Sequence, residues 1–132
     1  MKILVGAVVP GLCLLLSVSA WADISGKVVS VADGDTITVL DANNQQHKIR
    51  LSGIDAPERG QPYGTKSRDH LASLVAGKEV RVESAKQDRY GRALGKVWVQ
   101  PADCPSCGQT LDANLAQVTD GMAWWYRYYA NE

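Results

Sequence analysis

Hydrophobic and polar residues alternate through the first half of the chain, as they do in half-buried β-strands. In the segment ISGKVVSVADGDTITVL, the alternation puts Val29 and Val31, and then Ile37 and Val39, on one predicted face. An Asp-Gly-Asp step separates the two runs, and this turn signal predicts a β-hairpin. A polar turn, DANNQQ, then leads to a third predicted strand, HKIRL.

The second half of the chain adds two helices and two strands. A helix is predicted over TKSRDHLASLVAG, where Leu71, Leu74 and Val75 share a face and Gly77 ends the helix. Two strands, KEVRVESAK and ALGKVWVQ, flank the turn QDRYGR, and a loop, PADCPSCGQT, precedes a last helix, LDANLAQVTDG. Five strands with a helix between the third and the fourth follow the order of an OB-fold. The predicted fold class is therefore mainly β (α+β): a five-stranded OB-fold barrel with two short helices.

The first 22 residues have the features of a signal peptide. A basic start is followed by an apolar stretch with Pro10 and Gly11, and Ala20 and Ala22 supply the small residues of a cleavage site. An uncleaved membrane anchor is the alternative interpretation. We expect a signal peptide over residues 1–22 and a mature domain over residues 23–132, exported to the periplasm or the medium and free of the membrane. Disulfides are permitted in such compartments.

Length and charge limit the function classes. The 132 residues of the chain suffice for one domain rather than two. The formal net charge is zero, which removes the simplest argument for a broad basic surface that holds nucleic acid. Any anionic ligand must therefore be held by a local cluster of side chains.

Three polar clusters interrupt the predicted strands, and each alone is ordinary turn or loop chemistry. They are DGDT, IDAPE and DRYGR. An OB-like barrel can bring them to one side, where three acids would share a pocket with two arginines: Asp35, Asp55, Glu58, Arg50 and Arg92. Grouped acids raise one another's pKa, and a hard, oxygen-binding ion such as Ca²⁺ relieves this repulsion. Two guanidiniums beside a metal form a receptor for a phosphate.

Three motifs, VADGDTITVL, RLSGIDAPE and DRYGRALGKVWV, occur in this order. Through them the chain, from about Ile24 to about Tyr129, resembles the staphylococcal nuclease (thermonuclease) family. The resemblance implies a secreted, Ca²⁺-dependent phosphodiesterase on an OB-fold, with DNA and RNA as substrates and products that end in 3′-phosphates. Aromatic stacking reads base identity weakly, so little sequence specificity is expected. We expect a monomer without a stable protein partner.

The resemblance also implies roles for individual residues. It implies that two carboxylates and one backbone carbonyl bind the metal: those of Asp35 and Asp55, and the carbonyl of Ala56. Binding of the scissile phosphate falls to two arginines: Arg50 and Arg92. Glu58 would act on the attacking water, either as a general base or by orienting it. Further substrate contacts fall to three residues: Arg89, Tyr90 and Tyr129.

Two segments depart from the family pattern. The loop PADCPSCGQT looks like an insertion, and the sequence up to Glu132 lacks the C-terminal helix that usually closes this fold. We therefore expect the aromatic segment MAWWYRYY to expose an apolar patch at a cost in stability.

Other function classes fit parts of the sequence. The stretch CPSC is similar to a thiol–disulfide redox motif, but a βαβ unit around it is not predicted. A zinc site would need Cys104, Cys107, His47 and His70, and the two histidines lie in distant segments. The main alternative is a non-catalytic OB-fold nucleic-acid-binding module. In an oxidising compartment we expect a disulfide between Cys104 and Cys107.

Overall fold

A closed barrel of five strands forms the centre of the computed structural model, which describes Gly11 and residues 23–126. The elements of this part are, in chain order, β1 (Ile24–Asp33), β2 (Thr36–Leu40), β3 (Gln46–Leu51), β4 (Ile54–Asp55), α1 (Gly64–Val75), β5 (Glu79–Gln87), β6 (Ala93–Val99), β7 (Leu111–Asp112), α2 (Ala113–Thr119) and β8 (Trp124–Trp125). The long strands pair antiparallel in the order β3-β2-β1-β5-β6, and parallel pairing of β3 with β6 closes the ring. The predicted mainly β fold, an OB-like barrel with two helices, is confirmed.

Strand β1 departs from strict alternation. Its register with β2 shifts between Val28 and Ser30 and again between Val31 and Asp33. Such a bulge inserts an extra residue and changes which side chains face inward. As a result Val28 and Val31 are buried whereas Val29 is exposed. The prediction that Val29 shares the buried face with Val31 is therefore wrong.

Helix α1 covers the barrel next to β1. It buries Leu71 and Val75, as its apolar spacing predicts, and the chain leaves it through Gly77 with a positive φ of 72°. The β1–β2 turn lies against this helix, because a Cβ added to Gly34 would sit 1.8 Å from the Ser67 hydroxyl oxygen. A glycine is thus needed for the turn to make this close approach.

Helix α2 begins two residues later than predicted. Leu111 and Asp112 pair with β6 instead, and the Asp112 side chain accepts a hydrogen bond of 3.0 Å from the Leu115 N–H as the helix N-cap. The first turn of the helix docks on the barrel through the buried Asn114, whose side-chain Oδ1 accepts from the Val97 N–H at 3.0 Å. Asp112 therefore serves as the N-cap, and the helix begins at Ala113 rather than at Leu111.

The short strands β4 and β8 form a separate two-stranded ribbon that the alternation does not predict. Asp55 lies opposite Trp124, and Ile54 lies opposite Trp125. The Tyr126 N–H continues the pairing by donating to the Gly53 carbonyl at 2.9 Å. Both tryptophans of the ribbon are exposed on the surface.

Several features of the chain lie at its periphery. The structure joins Cys104 and Cys107 by a disulfide within the predicted loop, with Cα atoms 5.4 Å apart. Within residues 23–126, no helix has the length and apolar character needed to cross a bilayer. The predicted signal peptide, apart from Gly11, and the predicted contact residue Tyr129 lie outside the described residues.

Candidate active site

One pocket of about 210 Å³ gathers side chains from the β1–β2 turn, the end of β3, the β4 ribbon with the loop after it, and the β5–β6 turn. Nine residues line it: Asp33, Asp35, Thr36, Arg50, Asp55, Ala56, Glu58, Arg92 and Tyr126. All three polar clusters of the sequence therefore meet at one end of the barrel. The six residues predicted for metal binding and catalysis are among the nine.

Arg50 forms the floor of the pocket and is only 4% exposed. One terminal nitrogen donates to the carbonyls of Leu51 and Ile54, at 3.1 and 3.0 Å. The other lies 3.3 Å from a carboxylate oxygen of Asp35 and 3.2 Å from one of Asp55. The guanidinium is therefore fixed in place by backbone carbonyls and two carboxylates.

Asp35 is the buried acid of the pocket, with 6% of its surface exposed. Its carboxylate accepts hydrogen bonds from the Thr36 hydroxyl and from the Ala56 N–H, both at 2.9 Å. Burial raises the pKa of Asp35 above its ordinary value, although Arg50 and these two hydrogen bonds act in the opposite direction. The charged form of this carboxyl is thus disfavoured and would gain from a further cation.

Glu58 lies on the exposed rim of the same pocket. Its backbone is held by Gln61, whose side-chain oxygen accepts from the Glu58 N–H at 2.8 Å and whose N–H donates to the Glu58 carbonyl at 3.0 Å. The loop then turns so tightly that a Cβ on Gly64 would lie 2.0 Å from the Glu58 carbonyl oxygen. The backbone beneath Glu58 is therefore fixed while its carboxylate faces solvent.

The DRYGR turn brings Arg92 to the opposite wall of the pocket. Asp88 accepts from the backbone N–H groups of Tyr90 and Arg92 and from the Arg92 Nε, each at 2.9 Å. Burial raises the pKa of Asp88, but these hydrogen bonds outweigh it and the pKa falls below its ordinary value. A charged Asp88 thus fixes both the shape of the turn and the position of the arginine.

Two of the three predicted substrate contacts, Arg89 and Tyr90, are not among the described residues that line the pocket. Arg89 and Tyr90 occupy the tip of the DRYGR turn, where the Tyr90 ring is 70% exposed and contacts the guanidiniums of both Arg89 and Arg92. They adjoin the pocket through Arg92 but do not line it. Tyr129, the third, belongs to the undescribed end of the chain.

Four residues that shape the site were not assigned from the sequence: Thr36, Asp33, Tyr126 and Asp88. Thr36 and Asp33 line it, the latter also accepting from the Arg59 N–H at 3.2 Å. Asp88 holds Arg92 without being part of the lining. Both Thr36 and Asp33 belong to the DGDT stretch, where turn chemistry explained them well enough. An acid that opens a tight turn was the only signal for Asp88.

The donor set of the pocket fits a hard divalent cation. Asp35 and Asp55 offer carboxylate oxygens, which such ions prefer, and none of the described residues that line the pocket carries a sulfur or imidazole ligand. Among residues 23–126, no three or more His, Cys, Asp or Glu side chains cluster as a ready metal cage. A cation there would therefore rest on two carboxylates together with backbone and water oxygens. The zinc alternative loses two of its ligands, because Cys104 and Cys107 form a disulfide.

Chemically, the pocket is a receptor for an anion beside a place for a cation. Buried, hydrogen-bonded guanidiniums bind phosphate oxygens at fixed positions. Carboxylates at the same site can hold a metal or take a proton from water. A phosphate ester with a water molecule nearby fits these requirements.

Comparison with known proteins agrees with this geometry. Residues 48–132 match the family described as Staphylococcal nuclease homologue. The chain is 49% identical over 125 residues to the Micrococcal nuclease of Shigella flexneri, which covers 93% of this chain and 70% of that protein. It is 43% identical over 116 residues to Protein ParB of Escherichia coli, covering 88% of this chain and 65% of that protein. With the Thermonuclease of Staphylococcus hyicus it shares 41% identity over 81 residues, covering 55% and 47% of the two chains. The chain belongs to the staphylococcal nuclease family.

Proposed function

We propose that this chain is an exported, Ca²⁺-dependent nuclease that hydrolyses phosphodiester bonds of DNA and RNA with little sequence specificity. The observation that carries the proposal is the buried Arg50, held between Asp35 and Asp55 in a pocket that Glu58 and Arg92 also line. Two relatives, at 49% and 41% identity, are named as nucleases, which supports the same class of reaction.

The two arginines supply electrostatic stabilisation. In-line attack on a phosphodiester builds negative charge on the non-bridging oxygens, and donors fixed beforehand at those oxygens lower the barrier. Arg50 is fixed by its two carbonyl contacts and Arg92 by Asp88. Arg92 uses its Nε for Asp88, so in this proposal its two terminal nitrogens donate to the phosphate as a bidentate pair.

Three residues would hold the Ca²⁺ ion: Asp35, Asp55 and, through its backbone carbonyl, Ala56. The raised pKa of Asp35 supports this assignment, because a buried carboxylate gains most from a neighbouring cation. When bound, the ion would supply Lewis-acid neutralisation of charge on the phosphate.

Glu58 would act on the water. Its carboxylate lies on the exposed rim of the pocket, where water reaches it, and the fixed loop beneath keeps it in place. It takes the proton of the attacking water or orients that water. Arg89 and Tyr90, at the tip of the neighbouring turn, would contact the more distant parts of the substrate.

Export is the part of the proposal that rests on residues 1–22, which have the features of a cleaved signal peptide. The disulfide between Cys104 and Cys107 supports an oxidising compartment. The amino-terminal sequence of protein recovered from the periplasm or medium tests this directly, and Asp23 is the expected first residue.

Digestion of plasmid DNA and of RNA by the purified mature chain tests the catalytic part. We expect cleavage of both substrates with Ca²⁺ and none after chelator is added, with activity returning when Ca²⁺ is restored. Binding without cleavage in Ca²⁺ would instead identify a non-catalytic OB-fold nucleic-acid-binding module. Cleavage that persists in chelator would contradict the metal assignment.

A further inference from the structure

A second, larger cleft of about 440 Å³ opens beside the catalytic pocket. Its walls are mostly apolar and aromatic, and the principal residues are Pro57, Pro62, Tyr63, Lys66, Met122 and Trp124. The catalytic pocket, in contrast, is lined by carboxylates and guanidiniums. The cleft is therefore suited to apolar or aromatic groups, whereas the catalytic pocket is suited to charged groups.

The two cavities share one stretch of backbone. Ala56 and Glu58 line the catalytic pocket, whereas Pro57, between them, lines the cleft. On the opposite strand of the ribbon, Trp124 lies in the cleft and is paired with Asp55 of the catalytic pocket. A ligand that extends beyond the catalytic pocket across this ribbon would enter the cleft.

The cleft presents two rings that the fold does not bury. Tyr63 is 75% exposed and Trp124 is 51% exposed. Tyr63 also has a φ of 65°, an uncommon conformation for a bulky residue, and helix α1 starts directly after it. The following turn is fixed by the hydrogen bond from the Ser67 N–H to the Tyr63 carbonyl. An exposed ring on a fixed but unfavourable backbone indicates a surface for stacking rather than for core packing.

Lys66 gives the cleft a positive charge. It is on the first turn of α1, and no acidic side chain is among the residues that line the cleft. Aromatic faces beside a cation are the combination with which proteins hold single-stranded nucleic acid, the rings taking the bases and the cation the backbone.

We propose that this cleft is a subsite for a nucleotide of a single-stranded DNA or RNA substrate that lies beyond the two flanking the scissile bond, with its base against Tyr63 and Trp124 and a phosphate at Lys66. The proposal rests on the nuclease function proposed above. Every base has a stackable face, so this subsite adds affinity without reading sequence. It predicts that substrates longer than a dinucleotide bind more tightly than a dinucleotide does.

Cleavage of substrates of two lengths tests the subsite. For Tyr63→Ala and Trp124→Ala, KM for a single-stranded octanucleotide should rise at least about fivefold while kcat stays unchanged, as expected for one lost stack. KM for a dinucleotide should not change. Val29→Ala, which removes an exposed apolar side chain that lines neither cavity, serves as the control and should alter neither value.

The salt dependence of KM tests whether the positive charge of Lys66 contacts the substrate. Lys66→Gln removes one cation, so the slope of log KM for the octanucleotide against log salt concentration should fall by about 0.7. The dinucleotide slope should stay the same. An unchanged octanucleotide slope would show that Lys66 does not contact the strand.

Direct binding separates this proposal from the proposed reaction. With chelator present, affinity for a labelled octanucleotide should fall at least about fivefold in Tyr63→Ala and Trp124→Ala. Unchanged affinity, or an equal loss for the dinucleotide, would overturn the subsite while leaving the nuclease intact. A change in sedimentation of these variants without a change in affinity would instead identify the rings as a self-association surface. Wild type that binds through these rings but cleaves nothing would overturn the nuclease function and leave the subsite.

Discussion

Arg50 serves the fold and the proposed reaction with one side chain. A buried cation is costly unless its hydrogen bonds and charge are matched, and here two carbonyls and two carboxylates match it. Removing it would leave Asp35 buried beside Asp55 without a counter-charge. We therefore regard Arg92, whose side chain is less buried, as the better residue for separating catalysis from stability.

Arg92→Lys keeps the charge but removes the planar, bidentate group. We expect kcat to fall by about 10²–10³, as for the loss of one preorganised donor to a developing anion. Stability in urea should change little, because the backbone contacts of the turn to Asp88 remain. Arg81→Lys, at the exposed ion pair with Asp23, is the matched control. Near-normal kcat in Arg92→Lys would remove Arg92 from the catalytic group.

The β5–β6 turn is the smallest element with a function of its own. Its shape depends on Asp88, which accepts two backbone N–H groups, while Gly91 supplies the positive φ of 77° that closes the turn. The same carboxylate binds the Arg92 Nε. The Asp88 carboxylate thus fixes the position of Arg92, the side chain to which we assign a role in the proposed reaction.

Asp88→Asn should reveal this in the pH dependence of stability. The folded-state pKa of Asp88 lies below its ordinary value of 3.8. Its stabilisation is therefore present above that ordinary value and is lost as pH falls through the lower folded-state value. In urea unfolding, the variant should be less stable near neutral pH, and its difference from wild type should shrink in acid. Asp103→Asn, at an exposed loop residue, is the control. If the difference in unfolding free energy between Asp88→Asn and wild type did not change with pH, the role assigned to Asp88 would be contradicted.

Gln117 connects three elements through one buried side chain. Its amide nitrogen donates to the carbonyls of Gly34 and Ser67, at 2.8 and 3.1 Å, and its oxygen contacts the His70 ring. Helix α2 is thereby joined to α1 and to the turn that precedes Asp35. The two helices hold the site in shape although they contribute no lining to the catalytic pocket.

Gln117→Leu should therefore destabilise the fold. The change leaves two buried carbonyls without their donor, which costs about 1–3 kcal/mol. Urea unfolding measures the effect, and the control is the same substitution at an exposed loop residue, Gln45→Leu. If both variants unfold at the wild-type midpoint, the network contributes nothing to stability.

At the level of the barrel, the sequence predicted what depends on local pattern and missed what depends on distant pairing. The alternation of polar and apolar residues, together with the turn residues, predicted the long strands. The spacing of Leu71 and Val75 predicted α1. The β4–β8 ribbon could not be predicted, because two residues in each strand are too few to show an alternation of polar and apolar positions. The same holds for Gln117, which bonds to Gly34 across 83 positions.

The site divides in the same way. Residues that stand in the family motifs, such as Asp35 and Arg50, could be named from the sequence. Asp88 could not be given its role, because the hydrogen bonds of a turn explain an acid there equally well. Burial of Val28 in place of Val29 was missed because a bulge shifts the face of a strand without changing its composition.

The disulfide between Cys104 and Cys107 can be tested in the mature chain, which we propose is exported. Cys104 and Cys107 lie three positions apart, and the short loop they close restricts the unfolded chain little. We expect thiol titration of denatured protein to detect no free thiol before reduction and two afterwards, with a small loss of stability on reduction. Two free thiols in the native exported form would contradict this pairing.

Glu58 offers the most direct test of the proposed reaction. Its carboxylate is on the exposed rim, and its backbone, rather than its side chain, holds the loop. Glu58→Gln should therefore fold as the wild type does and bind an oligonucleotide equally well. Its kcat in saturating Ca²⁺ should nevertheless be lower by about 10²–10⁴, the usual contribution of a general base. Glu79→Gln, outside the pocket, should retain wild-type kcat. A Glu58→Gln variant that cleaves DNA in Ca²⁺ at the wild-type rate would contradict the proposal that this pocket is the catalytic site in which Glu58 acts on the water.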